Sequence, residues 1–316
     1  FITMKTAVLI PCYNEELTIK KVVTDFKREL PHADIYVYDN NSTDNSYKIA
    51  KESGAIVKKE YRQGKGNVVR SMFRDIDADC YIMVDGDDTY GVEAASEIEK
   101  LVLSGKADMV IGNRLSGKYF EENKRRFHNT GNKLVRKAIN ILFKSNLGDI
   151  MTGMRGFSYR FAKSYPISSQ EFEIETEMTI FSLNNNFLIE EVQVEYRDRI
   201  EGSESKLNTY RDGFKVLSLI LSLFRDTRPL FFFSLATLVL LLIAAIYFLP
   251  IFVNYLSTGY VEKIPTLIMA STVVIIAVVI FFSGVVLHVL KKQHQQRFEQ
   301  FLNMVEMKKR ELENHR

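Results

Sequence analysis

Between Arg228 and Lys291 the chain carries only two formal charges, Glu262 and Lys263. No other property narrows the fold as much. Phe231 to Leu249 and Ile264 to Leu290 each match the length, about 20 apolar residues, that crosses a bilayer core as a helix. Pro250 and the segment from Leu256 to Lys263 supply a short connection, so the two runs read as a membrane hairpin. Arg225 and Arg228 precede the first run; Lys291, Lys292 and Arg297 follow the second. Basic residues at both outer ends put both termini in the cytoplasm by the positive-inside rule. The competing reading, helices buried in a soluble core, requires two such runs in tandem. The expectation is an integral protein of the cytoplasmic membrane.

The preceding 228 residues alternate charged and apolar segments. Lys5–Pro11, Asp34–Asp39, Ala55–Lys59, Tyr81–Val84 and Met109–Gly112 read as short buried strands. Between them, Leu17, Ile19, Val22, Val23, Phe26 and Leu30 recur at helical spacing, with Asn14 as their expected cap. Helices are also expected up to Ser53, over Asn67–Ile76 and over Val92–Leu103. Strands alternating with helices of this length give a mostly parallel α/β sheet with helices on both faces.

After Asn113 the pattern changes to a polar loop over 113–126 and a basic amphipathic stretch from His128 to Ser145. That stretch suits an anionic membrane face as well as it suits a core-packing helix with a solvated basic side. Glu173–Leu183 reads as a helix and Leu188–Tyr196 as an alternating strand. Asn208–Phe224 is a second amphipathic helix, and its entry into the first apolar run marks it as interfacial. The tail, Gln296–Arg316, spaces Phe298, Phe301, Leu302, Val305 and Leu312 helically, as an oligomer contact or a helix lying on the membrane would. The expected division is therefore a catalytic domain over 1–207, an interfacial helix over 208–228, two spans over 229–290 and a cytoplasmic tail helix over 291–316.

The net charge of +3 is too small to point to nucleic acid. Cys12 and Cys80 have neither metal spacing nor a disulfide framework, which fits a reducing compartment. No N-terminal signal peptide is visible; Phe1-Ile2-Thr3 precedes Met4.

The chemistry lies at the strand ends. The fourth strand stops in Asp85-Gly86-Asp87, two carboxylates with a glycine between them that lets a ligand approach the backbone. Such a pair is a partial shell for Mg²⁺ or Mn²⁺, completed by substrate phosphates, or else an acidic turn. The first strand ends in Pro11-Cys12-Tyr13-Asn14-Glu15, the second in Asp39-Asn40-Asn41-Ser42-Thr43-Asp44 and the fifth in Gly112-Asn113-Arg114. All four would meet along one sheet edge, where open α/β sheets bind ligands. Gly64-Lys65-Gly66 is not a Walker A loop, because the upstream glycine is missing and Asn67 replaces Ser or Thr. It reads as a glycine turn opening a helix, or as a lysine near a nucleotide.

V-L-I-P-C-Y-N-E-E, Y-D-N-N-S-T-D, V-D-G-D and I-G-N-R resemble the family 2 glycosyltransferases of GT-A (Rossmann-like) fold. D-I-M-T-G-M-R-G-F, F-E-I-E-T-E and R-I-E-G-S-E-S-K-L-N-T-Y-R-D-G are similar to the polyisoprenyl-phosphate, dolichol-phosphate-mannose-synthase-like group. The resemblance covers about residues 5 to 215, and the hairpin matches the bacterial members with two spans. It implies that Pro11, Tyr13 and Glu15 hold the nucleoside and that Asp39 contacts base or ribose. Asp85 and Asp87 would hold the metal on the diphosphate, and Arg114, Arg199 and Lys206 would meet phosphate oxygens. Asp149, Glu173 and Glu175 are its candidates for an assisting acid group. Thr89 stands where the synthases often carry Gln, and G-S-E-S-K has one residue more than their G-E-S-K, which makes Arg197 a rival of Arg199.

The expected reaction is inverting transfer of a hexose from a nucleotide-diphosphate sugar to polyisoprenyl (undecaprenyl) phosphate, yielding a lipid-linked sugar donor for cell-envelope glycan modification. UDP-glucose or UDP-N-acetylglucosamine is the first choice of donor by similarity, with GDP-mannose the alternative. The acceptor phosphate, with a second pKa of about 6, is already ionised and needs positioning more than deprotonation. A processive polysaccharide synthase is disfavoured, since the chain has no Trp for the Gln-x-x-Arg-Trp motif. A non-catalytic nucleotide-sugar-binding scaffold on the membrane and homo-oligomerisation stay open.

Overall fold

The computed structural model describes residues 4–114, 126–166, 174–197 and 220–314. The chain divides into two compact units, Phe1–Thr209 with Gln300–Arg316, and Tyr210–Glu299.

The first unit is built on a seven-stranded sheet in the order β3-β2-β1-β4-β6-β5-β7. β1 (Thr6–Cys12), β2 (Asp34–Asp39), β3 (Ile56–Lys59) and β4 (Cys80–Met83) are parallel neighbours. β5 (Met109–Asn113) pairs in parallel with β7 (Ile189–Gln193). β6 (Arg155–Ser158) runs antiparallel between β4 and β5, so six strands share one direction and their carboxyl ends share one edge.

The period-2 alternation of β1 sorts Val8, Ile10 and Cys12 to a core shared with Ile19, Val22, Val23 and Phe26 of α1 (Ile19–Glu29). The opposite face carries an aromatic cluster: Phe157 stacks on Phe161 at 4.8 Å, and Phe73 meets Phe157 edge-on at 5.4 Å. Burying one such ring contributes about 1.5–3 kcal/mol, enough to hold the short strand β6 in the middle of the sheet. The other helices of this unit are α2 (Ser46–Glu52), α3 (Lys65–Asp75), α4 (Ala95–Leu103), α5 (Arg126–Phe143), α6 (Tyr159–Ser164) and α7 (Ile174–Asn184).

Three local expectations are corrected. Asn14 does not cap α1: the helix opens at Thr18, and Asn14 takes a left-handed φ of 55°. Its side chain instead accepts the Thr43 N–H at 2.9 Å, tying the loop after β1 to the loop after β2. β6 and α6 occupy a stretch for which no element was expected. β7 ends at Gln193, short of Tyr196, which forms only an isolated bridge to Tyr90.

In the second unit, α8 (Pro229–Thr258) and α9 (Ile264–Asn314) form the candidate membrane hairpin. Both are long and apolar, and their most apolar stretches are largely unburied, unlike the mostly buried core helices of a soluble protein. α8 runs through Pro250, as apolar helices in lipid tolerate, and stops at Gly259, whose φ of 74° is a left-handed cap. Buried Thr237, Ala244 and Ile251 on α8, and Ala270 and Ala277 on α9, each recur every seven residues. Thr237 Oγ1 donates to Ala277 O at 3.3 Å, and a Cβ on Gly284 would lie 2.5 Å from Phe233 Cβ. Small residues at a seven-residue repeat let two helices approach closely.

α9 continues past Lys291 without a break. Its last turns pack in the first unit, where Leu302 and Val305 are buried. There Glu306 pairs with Arg160 at 3.2 Å and Lys309 with Asp79 at 3.7 Å.

Candidate active site

The loops after β1, β2 and β3 are fastened to one another. Glu15 N–H donates to Ser46 Oγ at 2.7 Å, and Asn40 N–H to Cys12 O at 2.8 Å. The Asn40 amide donates to Glu60 O and Arg62 O, and its oxygen accepts the Gly64 N–H at 2.8 Å. Gly64 has φ 118°, a value side chains rarely adopt, and it delivers the chain into α3 at Lys65. In this frame Asp39 is 1% exposed, and its Oδ1 has no hydrogen-bond partner among the described residues. An orphaned buried oxygen costs about 1–3 kcal/mol, a cost that a bound hydroxyl or N–H would relieve. Pro11 lies beside Tyr38 in the β1–β2 register, Tyr13 is half-exposed, and Glu15 packs its stem near Gly86.

The end of β4 reaches the same edge. Lys65 Nζ lies 2.5 Å from Asp85 Oδ1 and 2.6 Å from Glu175 Oε1, with its side chain 8% exposed. Burial alone would lower the lysine pKa, but the two carboxylates outweigh it and raise it, so the ammonium is kept charged. Asp87 is buried, and its Oδ1 accepts from Thr89 Oγ1 at 2.7 Å and Thr89 N at 3.2 Å. The residue that departs from the synthase pattern thus orients the second aspartate. Asp88, at φ 58°, instead pairs with Lys21 at 2.6 Å. A Cβ on Gly86 would make only ordinary contacts at 3.6 Å, so none of the described residues demands glycine there. The tight glycine is Gly153, where a Cβ would lie 2.1 Å from Asp85 Oδ2.

Arg114 continues from β5 and forks onto Asp149, with Nε to Oδ2 at 2.7 Å and the second arm to Oδ1 at 3.2 Å. Its guanidinium lies 5.2 Å from the Tyr196 ring centre. Burial opposes the charge, yet Tyr90 and Asp149 raise the Arg114 pKa. Asp149 is itself 3% exposed and also accepts the Met151 N–H at 3.1 Å. Glu191 Oε1 takes the backbone N–H of Gly148 at 2.8 Å and of Asp149 at 3.2 Å. Both oxygens of Asp149 are therefore engaged.

The edge thus gathers Asp39, Lys65, Asp85, Asp87, Arg114 and Asp149, and it adds Glu175 from α7. Arg199, Lys206 and Glu173 lie outside the described residues. Arg197 donates its N–H to Thr89 O at 2.8 Å, while its guanidinium pairs with Glu195 at 3.0 Å. Gly153, Tyr90 and Glu191 were not singled out from sequence. The T-G-M-R-G string was a visible signal for Gly153 alone; Tyr90 and Glu191 had none.

Among the described residues no three His, Cys, Asp or Glu side chains converge as a metal cluster. Asp85 and Asp87 offer hard oxygens, and the ammonium already seated on Asp85 marks that oxygen as a cation acceptor. Two carboxylates completed by phosphate oxygens are a customary Mg²⁺ set, so the residues fit such an ion.

A doubly covered, mostly parallel sheet with its polar cluster outside the carboxyl ends of the strands has the architecture of a nucleotide-binding α/β enzyme. The sequence profile described as "Glycosyl transferase family 2" matches residues 7–165, half of the chain, and the protein belongs to that family. It is 31% identical over 228 residues to glycosyltransferase AglJ of Haloferax volcanii, covering 72% of this chain and 74% of that one. It is 29% identical over 208 residues to the dolichyl-phosphate hexose transferase of the same organism, covering 66% and 88%. The glucosyl-3-phosphoglycerate synthase of Mycobacterium tuberculosis, solved with Mn²⁺, UDP-glucose and phosphoglyceric acid, superposes with a TM-score of 0.53. That alignment has 18% identity over 70% of this chain and 79% of the other, and it shares the GT-A fold.

Proposed function

We propose that the chain transfers a hexose, with inversion, from a nucleoside diphosphate sugar to polyisoprenyl (undecaprenyl) phosphate. The observation that carries this reading is one chain combining the Asp39–Lys65–Asp85–Asp87–Arg114 edge with a candidate membrane hairpin. The relative named a dolichyl-phosphate hexose transferase supports a lipid-phosphate acceptor. The neighbour solved with UDP-glucose supports a UDP-sugar donor.

In this reading Asp39 Oδ1 accepts from the base or ribose, with Pro11, Tyr13 and Glu15 beside it. Asp85 and Asp87 would hold Mg²⁺ or Mn²⁺, which supplies charge neutralisation at the departing diphosphate. Lys65 adds a fixed positive charge at the same place, and Gly86 leaves the backbone open to the ligand. Arg114, together with Arg199 and Lys206, orients phosphate oxygens. Asp149 and Glu175 are already committed to Arg114 and Lys65, so we assign them to holding those cations rather than to taking a proton. The hairpin anchors the enzyme in the membrane with the catalytic unit and both termini on the cytoplasmic side.

The test is incubation of membranes bearing the chain with labelled UDP- and GDP-sugars and undecaprenyl phosphate, followed by lipid extraction. One UDP-hexose should label the lipid, and chelation should abolish the label. Labelling from GDP-mannose alone would select the alternative donor, and no labelling from any donor would leave the scaffold reading. Labelling indifferent to chelation would remove the metal.

A further inference from the structure

Arg155 is a fully buried arginine, 0% exposed, whose guanidinium forms no ion pair among the described residues. A buried charge without a direct ion pair is costly; burial lowers its pKa and the nearby carboxylates of Glu175 and Asp149 offset this only in part, so packing alone does not account for it. Its donors are spent on the chain around the site. Nε donates to Thr152 O at 3.0 Å and one terminal nitrogen to Ile150 O at 2.8 Å. The other terminal nitrogen donates to Thr179 Oγ1 at 3.0 Å, with Met109 Sδ at 3.4 Å.

Two routes lead from these bonds to Asp85. The carbonyls of Ile150 and Thr152 belong to the loop that ends in Gly153, whose N–H donates to Tyr90 Oη at 2.7 Å and whose Cα face lies against the Asp85 carboxylate. Thr179 Oγ1 also donates to Glu175 O at 3.0 Å, one turn back along α7, and Glu175 holds Lys65, which holds Asp85 Oδ1. A ring closes: Asp85 to Lys65, Glu175, Thr179, Arg155, the 150–153 loop and back to Asp85. The planar fork suits this task, because its donors leave in fixed directions toward three elements at once.

Resting on the proposed function, we infer that Arg155 is a positioning residue that fixes the direction of the Asp85 carboxylate and so sets the affinity of the divalent-cation site. It touches neither substrate nor ion. Partners that orient a ligating side chain are typically worth about 10–100-fold in metal affinity.

The experiment is an electron paramagnetic resonance titration of Mn²⁺ into the full chain in detergent with UDP present, alongside thermal unfolding of the same samples. Arg155→Lys keeps the charge and loses the fork, and should weaken Mn²⁺ binding about 10-fold or more. Thr179→Val removes one acceptor at nearly constant shape and should weaken it by less; it decides the matter if Arg155→Lys does not fold. A purely structural arginine would lower the melting temperature and leave Mn²⁺ affinity in the folded protein unchanged. Unchanged affinity in the folded variants, with the wild type binding normally, overturns this inference alone. A wild-type chain that binds no Mn²⁺ with UDP overturns the metal reading beneath it.

Discussion

Two cations with little solvent exposure stand at the same sheet edge and are held in opposite ways. Lys65 is one ammonium shared by two carboxylates, Asp85 and Glu175, so its surroundings keep an excess of negative charge. Arg114 faces the single carboxylate of Asp149 fork to fork, with Tyr196 beside its guanidinium, and that pair is electrically closed. Neither arrangement is explained by stability, since burying an ion pair roughly offsets its own attraction with desolvation. The difference separates the tasks. On the proposed reading, the Lys65 cluster takes a further cation and the Arg114 pair sets a geometry.

The widest gap should open at Asp87. Asp87→Ala removes a carboxylate from the unbalanced side, and transfer should fall by on the order of 10³-fold or more, with the protein still in the membrane fraction. Retained activity in the lipid-labelling assay would erase the distinction between the two clusters. Next comes Arg114→Lys, which keeps the charge and loses the bidentate grip. If geometry is the task, kcat should drop roughly 10²-fold, the scale of a misplaced group about 1 Å out of position; near-normal turnover would make Arg114 only a point charge. A smaller loss, about 10-fold, is expected for Gly153→Ala, whose methyl group meets Asp85 Oδ2. Raising Mn²⁺ should restore part of that loss, which no change at Arg114 should do.

How much of this was readable in the chain follows from where each contact is made. The strand-end motifs around Pro11, Asp39, Asp85 and Arg114 were legible because a buried parallel strand reads as an apolar run and its polar end follows in sequence. The hairpin was legible for the same reason, since charge-free length is local. β6 was not: Arg155-Gly156-Phe157-Ser158 has no alternation and is placed between β4 and β5 by Phe157 packing on Phe73 and Phe161. Lys65 sat in an ambiguous glycine turn, because Glu175, 110 residues away, gives it its surroundings. Asn14 was misread as a cap because its partner, Thr43, lies in the next loop.

The smallest effect concerns a third ion pair, at the far end of the same loops. Glu60 accepts from Arg62 N at 2.9 Å, Nε at 3.0 Å and the terminal nitrogen at 3.1 Å, and Ser71 Oγ also donates to it. Arg62's hydrogen bonds, against a burial penalty and with help from Ser71, hold the carboxyl at about 2 rather than the ordinary 4.5. Because the folded value is depressed, the stability it confers is complete above about pH 4.5 and is lost as pH falls toward 2. Arg62 is half-exposed, so solvent screening reduces the contribution to about 1 kcal/mol. Denaturant unfolding of the full chain in detergent should therefore find Glu60→Gln less stable than wild type at pH 7, with the two converging as pH drops below 4. A gap that persists unchanged at pH 3 would mean that Glu60 acts by packing, and that the loop from β3 to Lys65, which Asn40 ties to the loop after β2, is not held by charge at all.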